Sequence, residues 1–144
     1  MYRFFIKEEQ IHDGMIEICG SDVNHIKNVL RMKTGDKVLI EFCLIVNSII
    51  DDETIFGRIG GEEFCITFLD KDIETVENIA EKIRNNCADK QIILENNEIL
   101  NFTISMGLSC RDNFDDIDKI LQKSDELLYE AKETGRNRLI RVHR

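Results

Sequence analysis

Gly57-Arg58-Ile59-Gly60-Gly61-Glu62-Glu63-Phe64 is the stretch that decides how the rest of this chain is read. Adjacent glycines permit positive φ at two consecutive positions, which tight hairpin turns require. The residues that follow, Phe64-Cys65-Ile66-Thr67-Phe68-Leu69, are rich in strand formers. The segment therefore predicts a β-hairpin with its tip at Gly60-Gly61. Glu62 and Glu63 place two carboxylates beside backbone that lacks side chains. Such a spot suits a polyphosphate and its divalent cation, because glycine allows close approach and carboxylates are hard oxygen ligands for magnesium. The same residues also suit a plain solvated turn. Alone, the motif is suggestive and no more.

Upstream, Val38, Leu39, Phe42, Ile45, Val46, Ile49 and Ile50 recur at helical spacing, with Asp36 as N-cap. Downstream, Asp70-Lys71-Asp72 opens a second helix with Ile73, Val76, Ile79, Ala80, Ile83 and Cys87 inward. Residues 91–94 predict a short edge strand turning at Asn96-Asn97, and residues 101–109 (NFTISMGLS) a central strand. The last helix carries the clearest stripe, Ile117, Ile120, Leu121, Ser124, Leu127, Leu128 and Ala131, and Gly135 stops it. Residues 138–142 add a closing strand. At the start of the chain, residues 2–6 (YRFFI) and 15–19 (MIEIC) predict strands joined by a polar stretch with a turn at Asp13-Gly14. Asp22 caps a short helix through Leu30. Residues 15–144 then form an α+β fold, a mainly antiparallel sheet with packed helices, similar to a ferredoxin-like palm.

The chain has 144 residues, 42% of them hydrophobic, enough for one domain with a proper core. No apolar run reaches the roughly eighteen residues that a membrane span needs, and no leader with a cleavage site is present, so a cytoplasmic protein is expected. Cys19, Cys43, Cys65, Cys87 and Cys110 are widely spaced with no CxxC pair, which predicts reduced, mostly buried thiols. Residues 1–37 are charge-neutral, so the remainder carries the whole net charge of −9. An acidic body argues against RNA as a partner, since phosphate contacts supply most non-specific affinity. A nucleotide needs only a local positive pocket.

Two family resemblances emerge from these residues. The blocks MYRFF, GMIEICGSD and HIKNVLRMKTGD, over residues 1–37, resemble the N-terminal PUA-like barrel of methyltransferases that modify a uridine of small-subunit ribosomal RNA. Nothing resembles that family's catalytic domain, so methyl transfer is not expected. GDKVLIEF, GRIGGEEF, TISMGLS and SDELLYEAKETGRNRL, over residues 35–144, resemble the GGDEF domain, the diguanylate cyclase fold. The chain thus reads as a chimera. Residues 1–34 form a PUA-like-derived segment and residues 35–144 a partial GGDEF domain, with residues 15–19 supplying the sheet's first strand.

The second resemblance implies condensation of two GTP molecules into cyclic di-GMP by a homodimer with two magnesium ions. It places Gly60 and Gly61 against the nucleotide and Glu62 on the metal. Glu63 assists the metal or the attacking hydroxyl, and Asp36 contacts the guanine edge. Lys132 and Arg136, four apart on one helix face, hold the terminal phosphates. By spacing alone, that pair equally fits a basic helix end satisfying the dipole. One departure matters most. Counted back from Asp36 without a gap, Cys19 takes the place of the first-strand metal aspartate, Ser21 the next acidic position and Lys27 the guanine-contacting asparagine. A thiol is a poor magnesium ligand, so a weak or inactive cyclase is expected. The inhibitory RxxD is also missing, replaced by Asp51-Asp52-Glu53-Thr54. The alternatives are a non-catalytic GTP-binding or dimerisation module and a ribosomal RNA-binding remnant.

Overall fold

The computed structural model describes residues 11–12, 15–16, 34–94, 96–111 and 116–142. It divides into two compact units, Met1–Lys37 and Val38–Arg144. In the first, β1 (Ile11–His12) pairs antiparallel with β2 (Met15–Ile16), Ile11 opposite Ile16. Strand β1 falls in what the sequence suggests is a polar connection. A two-residue strand is too short to leave an alternating pattern. The expected strand at residues 2–6, the helix from Asp22 to Leu30 and Cys19 itself lie outside the described residues.

Helix α1 (Thr34–Asn47) runs into the second unit. Asp36 is not its cap. It sits inside the first turn, where a carboxylate still favours the positive end of the helix dipole. Then come β3 (Ile55–Gly60), β4 (Glu63–Thr67), α2 (Ile73–Asp89), β5 (Gln91–Ile93), β6 (Ile99–Asn101), β7 (Met106–Leu108), α3 (Ile117–Glu133) and β8 (Leu139–Arg141). Strands β3–β4 and β5–β6 pair antiparallel, whereas β7 and β8 pair parallel. The single strand expected over residues 101–109 is split in two. Between the halves, Phe102 and Ile104 pack against the core instead of joining a ladder.

The core joins α1 to α2 through Phe42, Val46, Ile83 and Cys87. The hairpin lays Phe56 and Phe64 on it, stacked with centroids 5.6 Å apart and each edge-on to Phe42 at 5.9 and 4.8 Å. Helix α2 is capped as its acidic start suggests, by Asp72. Its carboxylate accepts from the Thr75 N–H at 2.8 Å and the Thr75 hydroxyl at 2.6 Å. Of the four described cysteines only Cys87 is buried, its thiol pushed up to about 11 by desolvation. Cys43, Cys65 and Cys110 are half-buried, contrary to the expectation of mostly buried thiols. No helix among the described residues is long and apolar enough to cross a membrane.

Candidate functional site

The hairpin forms where the glycines place it, but its turn lies one residue later than expected. Gly60 still pairs with Glu63, leaving Gly61 and Glu62 as the turn, and only Gly61 takes a positive φ, at +36°. The register slips between Arg58 and Gly60, so Ile59 is an extra residue in β3, and the strand bends there. Arg58 sits above the Phe64 ring, 5.9 Å from its centroid, and clamps the turn. Its Nε donates to the Gly61 carbonyl at 2.8 Å, and Nη2 donates to the same oxygen. The clamp fixes the peptide that precedes Glu62.

The opposite side of the site is built by β7, α3 and β8. Gly107 brings β7 against α3 so closely that a Cβ there would lie 2.2 Å from the Ser124 carbonyl and 2.5 Å from the Leu128 nitrogen. The Ser109 hydroxyl fastens the same contact, at 2.9 Å from the Ile120 carbonyl and 2.7 Å from the Ser124 hydroxyl. Past the cap residue Thr134, Gly135 turns to φ +121° and the Arg136 N–H donates to the Ala131 carbonyl at 2.9 Å. That six-to-one bond is the Schellman stop expected of a glycine after a helix.

These two sides line one cleft of about 540 Å³. Glu62 and Glu63 from the hairpin and Ser124, Asp125, Lys132 and Arg136 from α3 and its exit share it with apolar Ile66, Val76, Phe102, Ile104 and Leu128. Lys132 Nζ stands 4.0 Å from Glu63 Oε1, with both side chains partly in water. Four sequence-predicted residues are therefore gathered in one place. Gly60 and Gly61 stand at the turn beside them, with nothing within 4 Å of an added Cβ. Asp36 belongs to the first unit. Asp125 was not singled out, although its spacing of seven from Lys132 puts it two turns away on the same face. Arg58 was not singled out either, and its role depends on bending back to Gly61. Among the described residues no three His, Cys, Asp or Glu side chains cluster as a metal cage. Chemically, the cleft offers oxygen donors for a hard cation next to cations that suit phosphate.

Where the inhibitory RxxD is missing, Asp51 and Thr54 make a local contact instead. Asp51 accepts from Lys71 Nζ at 2.6 Å and from the Thr54 hydroxyl at 2.7 Å. These bonds hold its carboxyl below the ordinary range and raise the Lys71 ammonium.

Fold and cleft together define an α+β domain whose acidic hairpin turn meets a cation-bearing helix end. The chain belongs to the GGDEF family: residues 16–138 match it, under the description diguanylate cyclase, GGDEF domain. A diguanylate cyclase of Vibrio cholerae serotype O1 is 38% identical over 105 residues, 72% of this chain and 32% of that protein. Diguanylate cyclase A of Treponema denticola is 34% identical over 129 residues, 86% of this chain and 34% of that protein. The solved active GGEEF domain of a diguanylate cyclase from Vibrio cholerae is similar at TM-score 0.68 and 33% identity, covering 86% of this chain and 76% of that one. The chain spans about a third of the length of the curated relatives it matches. The matched range begins at residue 16, inside the segment resembling a PUA-like barrel, and lends that resemblance no support.

Proposed function

We propose that this chain is a GTP-binding GGDEF domain related to the diguanylate cyclases, in which cyclic di-GMP formation is weak or lost. The observation that carries the reading is the cleft holding Glu62, Glu63, Lys132 and Arg136 together, with Lys132 4.0 Å from Glu63. Lys132 and Arg136 take the terminal phosphates, the guanidinium as a planar fork and the ammonium as a point charge. Gly60 and Gly61 let the nucleotide lie along the turn. Glu62 holds magnesium and Glu63 assists it or the attacking hydroxyl. The donor set fits that ion, which commonly takes one or two carboxylates and fills its shell with water and phosphate oxygens. Bound magnesium supplies charge neutralisation at the phosphates and a more acidic hydroxyl.

In the reaction, a ribose 3′-oxygen of one GTP bonds to the α-phosphorus of the other. The bond from that phosphorus to the β-bridging oxygen breaks, pyrophosphate leaves, and the hydroxyl proton passes to a carboxylate, for which Glu63 is the candidate. A second such step closes the ring. Each of two subunits presents one nucleotide, so turnover needs a homodimer. The weak or absent turnover follows from Cys19, which stands in the first-strand aspartate's register if residues 15–19 supply that strand. Losing one carboxylate of a two-metal site costs roughly a thousandfold or more in rate.

Two measurements test this. GTP with magnesium raises the melting temperature of the chain, and the rise vanishes when Lys132→Ala and Arg136→Ala are combined. No shift at millimolar GTP refutes the pocket. Cyclic di-GMP in the same mixture stays at trace level, and robust turnover refutes the disabling role of Cys19.

A further inference from the structure

We infer that Arg84, on α2 and outside the cleft, is a positioning residue for Arg136 and so sets the affinity for the nucleotide's terminal phosphates. The inference rests on the reading of Arg136 as a phosphate ligand. Arg136 and Asn137 take left-handed backbone in succession, φ +58° and +46°. Asparagine tolerates that region, but arginine rarely adopts it, because its Cβ crowds the carbonyl. Such a conformation persists only where the surroundings hold it, and it recurs at ligand-binding positions.

The surroundings here are specific. The Arg136 N–H is tied to the Ala131 carbonyl, and its own carbonyl accepts from Arg138 Nε at 3.2 Å. The following residue is held from a different element. Arg84 Nη1 donates to Asn137 Oδ1 at 2.9 Å and approaches the Asn137 carbonyl at 3.4 Å. The guanidinium is itself oriented on α2, through Nε to Glu81 Oε2 at 2.8 Å and Nη2 to Asn85 Oδ1 at 2.6 Å. Its side chain is only 17% exposed, so the fork is held by packing as well as by partners. A lysine lacks this geometry, since the three bonds leave from Nε, Nη1 and Nη2 of one planar fork, whereas an ammonium donates from a single nitrogen.

The test measures GTP affinity with magnesium by calorimetry on the full chain. Arg84→Ala weakens binding about five- to tenfold, and Arg84→Lys recovers less than half of that loss. Asn137→Gly keeps the left-handed freedom, removes the side-chain acceptor and leaves α2 untouched, so it guards against a fold defect. It weakens binding to a similar degree. In an Arg136→Ala background the Arg84→Ala loss shrinks below about twofold, because the residue it positions is gone. A loss that persists undiminished in that background overturns the inference, as does unchanged affinity in Arg84→Ala. If Arg136→Ala and Lys132→Ala themselves leave GTP affinity unchanged, the phosphate-binding reading fails first and takes this inference with it.

Discussion

The two sides of the cleft are built on different principles. The acidic side is a hairpin of neighbours, in which Arg58, Gly61, Glu62 and Phe64 lie within seven residues of one another and carry their own turn and clamp. The cationic side is assembled from distant pieces. Strand β7 pairs with β8, thirty-three residues later along Met106↔Leu139, and α3 between them is seated against Gly107. Arg84 then reaches across fifty-three residues to hold the exit turn. Carboxylates are thus placed by local geometry, and cations by long-range packing. Damage to the second side should spread further than damage to the first.

The largest expected effect tests that contrast directly. Gly107→Ala drives a methyl into the backbone of α3, which has no rotamer to yield. We expect a loss of at least about 3 kcal/mol in chemical denaturation, with the GTP-dependent stabilisation lost as well. Mild destabilisation would mean that β7 and α3 separate cheaply, and the contrast would fall.

Phe64→Ala strips the stacked ring from the hairpin but leaves its glycines and clamp. Because the ring is half-buried, the expected cost is about 2–3 kcal/mol, read in the same way. Nucleotide affinity in the folded fraction should change less than for Arg84→Ala. A greater loss of affinity would show that the acidic side also relies on distant packing.

The smallest effect concerns a purely local contact. The Thr75 hydroxyl and N–H hold the Asp72 carboxyl below its usual range. A depressed folded value contributes stability above the unfolded pKa of about 3.9, and that contribution is lost as pH falls through the folded value. Asp72→Ala should therefore melt slightly below the parent chain at pH 7, and the difference should close in acid. A gap that persists at the lowest pH would assign the effect to packing instead of charge-assisted capping.

Legibility in the sequence follows the same division. The hairpin and the three helical stripes arise within a few residues, where periodicity and glycine speak plainly. Lys132 and Arg136 do not share a helix face as their spacing suggests, because α3 ends at Glu133 and Arg136 lies beyond it in left-handed backbone. The turn was displaced by one residue because Ile59 is an extra residue between Arg58 and Gly60, and a bulge leaves no mark in the alternation of so short a strand. The strand over residues 101–109 broke because Phe102 and Ile104 found a core, and Met106 found a parallel partner that alternation cannot name. Asp125 and Arg84 carried no signal of their own, since each is an ordinary charge on a helix until something distant is brought beside it.

By itself, then, the sequence determined which residues are proposed to bear the chemistry: a glycine turn with Glu62 and Glu63, and a helix end with Lys132 and Arg136. Tertiary structure alone decided that they share one cleft and that Arg136 is held in left-handed backbone. The reason is physical: turn and helix preferences act over a few bonds, whereas the close approach at Gly107 and the reach of Arg84 exist only once the helices have packed.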